Sequence, residues 1–114
     1  MKLLRRLILL TFIFIGIALG PSIAYAADVQ MGYDGNLVFE PSEITINAGE
    51  SVHFVNNMLP PHNVVVEGHD ELSHEALAMM PGEEFDVAFP ESGDYTFWCG
   101  PHKGAGMIGT EIVN

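Results

Sequence analysis

Between residues 29 and 113 the chain falls into short runs of three to six residues, most of them apolar at every second position. Residues 29–31, 37–40, 43–47, 51–56, 63–66, 84–89, 94–99 and 109–113 fit strands, whose side chains alternate between two faces. Gly35, Pro41, Ala48-Gly49, Pro60-Pro61, Pro81-Gly82, Pro90 and Ser92-Gly93 separate them as turns. So many strands in so short a segment predict an all-β, antiparallel sandwich. Only residues 70–80 break the rhythm. There Leu72, Ala76, Leu77 and Met80 recur at helical spacing, which predicts one short helix or an irregular crossover.

Residues 1–26 read as a cleaved export signal: Lys2, Arg5 and Arg6 come first, a largely apolar run of 13 residues follows over 7–19, and Ala24-Tyr25-Ala26 ends it as a small-x-small cleavage site. A membrane span needs about 20 apolar residues, so the run suits a signal better than an anchor. Cleavage would leave one domain, residues 27–114, with no membrane anchor, and export by the general secretory route fits better than the twin-arginine route. All fifteen acidic residues lie in that part, with Lys103 as its one Lys or Arg, for a side-chain charge of −14. Nucleic acid is thereby excluded as a natural partner. Such a surface either attracts basic protein patches, with on-rates that fall as salt rises, or serves solubility alone. Cys99 is the only cysteine, so no internal disulfide can staple this small exported domain. A metal bound to the folded state is the natural substitute.

The donors for one are present. Cys99-Gly100-Pro101-His102-Lys103-Gly104-Ala105-Gly106-Met107 brings a thiol, an imidazole and a thioether into one short loop. Leu59-Pro60-Pro61-His62-Asn63 offers a second imidazole. Soft sulfur donors with imidazole favour copper over magnesium or calcium, and two His, one Cys and a weak axial Met form the ligand set of blue-copper electron-transfer sites. Pro61 and Pro101 restrict the chain beside each histidine, so that the ligands can be held in place with or without metal. Met107 could instead be core filler. Alternation over residues 94–99 places Tyr95, Phe97 and Cys99 on one face and Thr96 and Trp98 on the other, so Trp98 should face out, or else pack as a partly buried ring. By the same alternation His53 should point to solvent, while His69 and His74 lie in an acid-rich crossover with Glu67, Asp70, Glu71 and Glu75.

The Cys-x-x-His-x-x-x-x-Met spacing, Gly104-Ala105-Gly106-Met107-Ile108-Gly109, Pro61-His62-Asn63 and Phe54-Val55-Asn56-Asn57 together resemble plastocyanins of the cyanobacterial type, in the cupredoxin superfamily. The likeness runs from Val29 to Asn114. It implies a Greek-key, cupredoxin-like sandwich. It also implies one type 1 copper held by His62, Cys99, His102 and Met107, with Asn63 tying the two ligand loops together near the Cys99 sulfur. Gly100 departs from the pattern, in which a side chain commonly follows the Cys, and Trp98 stands where Tyr is usual. The resemblance further implies an apolar docking patch at Gly35, Leu37, Leu59, Pro60, Gly104 and Ala105, with Lys103 orienting the docked partner and Trp98 beside it.

The function so implied is that of a soluble, monomeric one-electron carrier in the thylakoid lumen or periplasm, cycling between Cu(II) and Cu(I) to move electrons from cytochrome f of the cytochrome b6f complex to photosystem I. A short single signal points to a bacterial cell. A respiratory cupredoxin of the pseudoazurin type is the alternative carrier. Enzyme readings fit less well: a copper oxidase would need further His clusters, and a Cys-His hydrolase would leave His62 and Met107 without a role. A copper store or chaperone would favour an exposed, flexible site over an enclosed one.

Overall fold

The computed structural model describes residues 26–114, so the export signal expected over residues 1–26 lies, but for Ala26, outside the described residues. Among the described residues, nine strands form two sheets. They are β1 (Ala27–Met31), β2 (Phe39–Glu40), β3 (Glu43–Ile46), β4 (Ser51–Asn56), β5 (His62–Val66), β6 (His74–Ala78), β7 (Glu84–Ala88), β8 (Gly93–Trp98) and β9 (Ile108–Val113). One sheet has the order β2-β1-β4-β7 and the other β3-β9-β8-β5-β6. The sandwich expected from the strand rhythm is therefore present.

Alternation decides what each strand buries. In β4 the even members Val52, Phe54 and Asn56 are buried, and in β9 every second residue from Gly109 is buried. The two apolar faces meet in a core built on Phe39, Phe54 and Phe97, whose rings pack edge to face with centroids 4.9 to 6.2 Å apart. Each fully buried Phe contributes about 2–3 kcal/mol through burial alone. Gly109 belongs to this packing, because a Cβ there would run into the Phe97 ring.

Two details differ from the sequence-based expectation. The pairings are not all antiparallel: β1 runs parallel to β4, and β3 parallel to β9. The chain visits both sheets between β1 and β4, and that crossover is long enough to return the strand in the same direction. Residues 70–80 form no helix. Turns run to Ser73, and β6 then pairs antiparallel with β5, setting Ala78 opposite His62 and His74 opposite Val64. A free sheet edge supplied ladder hydrogen bonds, which outweighed the weak helical spacing. Leu77 and Met80 consequently lie exposed instead of sharing a buried face.

His53 lies on the outer face as alternation requires, yet it is largely covered. Its Nδ1 sits 2.7 Å from Asp86 and its Nε2 3.2 Å from Glu84, both on the neighbouring β7. These carboxylates raise its pKa above the usual histidine value. His74 stacks flat on Phe85 with ring centroids 3.7 Å apart, and His69 pairs with Glu71.

Candidate metal centre

Both halves of the site lie at one end of the sandwich. His62 opens β5, while Cys99 follows β8 directly, and the loop back to β9 carries His102 and Met107. This loop is closed by its own backbone. The Cys99 N–H donates to the Met107 carbonyl at 3.1 Å, the His102 N–H to the Cys99 carbonyl at 3.2 Å, and the Met107 N–H to the His102 carbonyl at 3.2 Å. Gly106 makes the turn possible, with a φ of 87° that an L side chain rarely adopts.

The donors converge. Cys99 Sγ lies 3.7 Å from Nδ1 of His62 and 3.5 Å from Nδ1 of His102, and the three donor atoms all fall within 4.8 Å of one another. One ion at about 2.0 Å from nitrogen and 2.3 Å from sulfur could bridge donors up to about 4.3 Å apart, and both separations lie within that reach. The spacing therefore fits a single first-row metal ion. Cys99, His62 and Met107 are fully buried, and His102 is half-buried, reaching toward the surface.

The tautomer of His62 is set from behind. Its Nε2–H donates to the carbonyl of Met58 at 2.8 Å, which leaves the Nδ1 lone pair facing the thiol. Burial lowers the pKa of His62, keeping the ring neutral and able to ligate. Burial pushes the Cys99 thiol up, against the opposing pull of hydrogen bonds from the Asn63 and His102 backbones.

Asn63 joins three segments. Its Oδ1 accepts from the Gly100 N–H at 2.6 Å, and its Nδ2 donates to the Glu75 carbonyl at 3.0 Å. A Cβ on Gly100 would come within 3.1 Å of that Oδ1, so the glycine lets the Cys99 loop sit tight against β5. Pro61 is half-buried next to His62, and Pro101 is exposed next to His102. Among the expected docking residues, Leu59, Lys103, Gly104 and Ala105 are exposed, Pro60 and Gly35 are half-buried, and Leu37 packs against the core. Trp98 is half-buried on the outer face, with the Lys103 ammonium 3.6 Å above its ring centre.

The sequence model of the copper binding proteins, plastocyanin/azurin family, matches residues 26–114. The chain belongs to this family. Its cofactor is copper. It is 43% identical to a plastocyanin from Synechococcus sp. (strain JA-2-3B'a(2-13)), over 96% of this chain and 91% of that one. Among solved structures, the oxidized plastocyanin from Dryopteris crassirhizoma superposes with a TM-score of 0.68 at 35% identity, covering 77% of this chain and 100% of that one. The pseudoazurin from Methylobacterium extorquens AM1 reaches a TM-score of 0.59 at 29% identity, over 77% and 74%. With these relatives, the copper-fitting His62, Cys99 and His102 mark a blue-copper electron carrier.

Three residues gain a role at this plastocyanin/azurin site that the sequence analysis did not assign, Asn56 among them although it belongs to a motif that carries the resemblance. Met58 supplies the carbonyl behind His62. Gly32, buried with a φ of 78°, lies so close to that carbonyl that a Cβ would collide with it and come within 2.7 Å of His62 Nε2. Asn56 donates from Nδ2 to the Ala78 and Met80 carbonyls, holding the end of β6 to β4 beside the site. The only advance signal for Gly32 was a glycine placed directly after a strand.

Proposed function

We propose that the protein is a plastocyanin-type shuttle that accepts one electron from cytochrome f and delivers it to photosystem I, with His62, Cys99, His102 and Met107 as the copper ligands. The observation that carries this is the convergence of two imidazole Nδ1 atoms on one buried thiol sulfur, 3.5 and 3.7 Å away. Bound there, copper supplies a Cu(II)/Cu(I) couple that takes up and returns one electron. The chain supplies the rest: neutral His62 held by Met58, a loop braced by Asn63 and flanked by Pro61 and Pro101, and a fully buried Met107 sulfur. A site held this firmly rearranges little between oxidation states, which keeps the exchange fast.

His102 is the half-buried ligand and the natural port for the electron. The surrounding Leu37, Leu59, Pro60, Gly104 and Ala105 form a small apolar docking face, with Trp98 and Lys103 at its border. Redox encounters use small interfaces that also release quickly. We place the carrier, after removal of residues 1–26, as a monomer in the thylakoid lumen or periplasm, acting without catalysis of its own. Greater identity to plastocyanins than to pseudoazurin favours the photosynthetic partners.

Stopped-flow mixing of the Cu(II) protein with reduced cytochrome f tests the reading. Second-order bleaching that slows as salt increases is expected, given the charge of −14 on residues 27–114. Bleaching only by donors of a respiratory chain would support the pseudoazurin-like alternative.

A further inference from the structure

Glu111 has no part in the copper site. Alternation along β9 turns its side chain into the sandwich, where it is fully buried, and neither carboxyl oxygen has a hydrogen-bond partner. Among the described residues, burial alone acts on its charge, with no positive partner beside it. Beside it on β8 stands Tyr95, whose hydroxyl is already committed to the Glu91 carbonyl, and beside it on β3 stands Ile44. Of the inward residues of the facing sheet, Val29, Met31, Phe39, Val52, Phe54 and Val87 are apolar, and the polar Asn56 commits its Nδ2 to the Ala78 and Met80 carbonyls. The titratable groups flanking it on β3 and β8, Glu43 and Asp94, are acidic; they line a groove of about 250 Å³ that also borders Glu111. Lys103 is engaged over the Trp98 ring.

We infer that Glu111 is a proton-held acid in the core, which makes the stability of the whole sandwich depend on pH independently of the copper site. A buried carboxylate without a counter-charge is far costlier than a buried neutral acid, so the folded state retains the proton. Burial pushes the Glu111 carboxyl up to about 8, against 4.5 for an exposed one. The folded state then binds one more proton than the unfolded state between those two values. Stability from this group is complete below pH 4.5, falls tenfold per unit in the folding equilibrium as pH rises, and is lost by about pH 8. Such a fold suits a protein that works on the acid side of that limit.

Chemical unfolding of the copper-loaded protein and of Glu111→Gln, from pH 5 to pH 9, tests this. Gln keeps the shape and stays neutral. The folding equilibrium of the wild type should weaken on the order of a thousandfold more than that of the variant over this range, with the visible copper spectrum and the reduction potential of the two proteins equal at pH 6. Parallel pH profiles would overturn the inference. Carbon-13 NMR titration of the Glu111 carboxyl in the diamagnetic Cu(I) wild type gives a second reading that needs no variant. A midpoint well above 4.5 supports the proton-held acid, and one at or below 4.5 overturns it.

Discussion

His62 and Met58 are joined by a hydrogen bond of 2.8 Å from the imidazole Nε2–H to the main-chain carbonyl, and it decides which ring nitrogen faces Cys99. Gly32 makes room for this contact from β1's side. A Gly32→Ala variant must shift the Met58 carbonyl or the His62 ring, and also strain a backbone φ of 78°. We expect copper affinity to fall about 10- to 100-fold, as when other supports of a ligating histidine are removed. Competition with a calibrated chelator measures it; unchanged affinity would show that the bond is dispensable.

Asn63 is the tie between β5, β6 and the Cys99 loop. Asn63→Ala removes two hydrogen bonds, leaving the Gly100 N–H and the Glu75 carbonyl without their partner. A loss of about 2 kcal/mol in unfolding free energy is expected. Denaturant titration of wild type and variant at one pH gives the value directly.

Lys103 and Trp98 form a cation–π pair, with 3.6 Å between the ammonium nitrogen and the ring centre. Because the chain has one tryptophan, tryptophan emission reports on the surroundings of Trp98. Lys103→Gln should alter the Trp98 emission, cost about 0.5 kcal/mol, and leave copper binding intact. Identical emission in the two proteins would mean that the pair does not persist in solution.

His53, between Asp86 and Glu84, titrates above the ordinary histidine value of 6.5. The folded state thus holds the proton more tightly than the unfolded one, so the contribution is full below pH 6.5 and disappears as pH rises through the raised folded value. Asp86→Asn should therefore lower the His53 titration midpoint in a proton NMR experiment. Its cost, about 0.5 kcal/mol at pH 6, should shrink as pH rises through the raised folded value.

The strands and the three converging donors could be read from the chain because their signals are local: alternation shows in neighbours, Cys99 and His102 share one loop, and His62 follows Pro60-Pro61. What the sequence hid depends on contacts between distant segments. The path of residues 70–80 was settled by a vacant edge on β5, which outweighed the spacing of Leu72, Ala76, Leu77 and Met80. Parallel pairing of β1 with β4 follows from the route of the chain between sheets, not from either strand's composition. Met58 and Gly32 act through a backbone carbonyl and an absent side chain, which leave no mark in residue chemistry. Glu111 holds an inward position that alternation predicts, but its acidic identity argued for the surface.

The central claim is that two imidazoles, one thiol and one thioether from separate segments hold a single copper ion. Adding Cu(II) stepwise to the metal-free protein while recording the visible spectrum tests it most directly. We predict an intense blue band that saturates at one equivalent, bleaches on mild reduction, and is absent from Cys99→Ser. A colourless complex, or a band that survives in Cys99→Ser, would contradict the assignment.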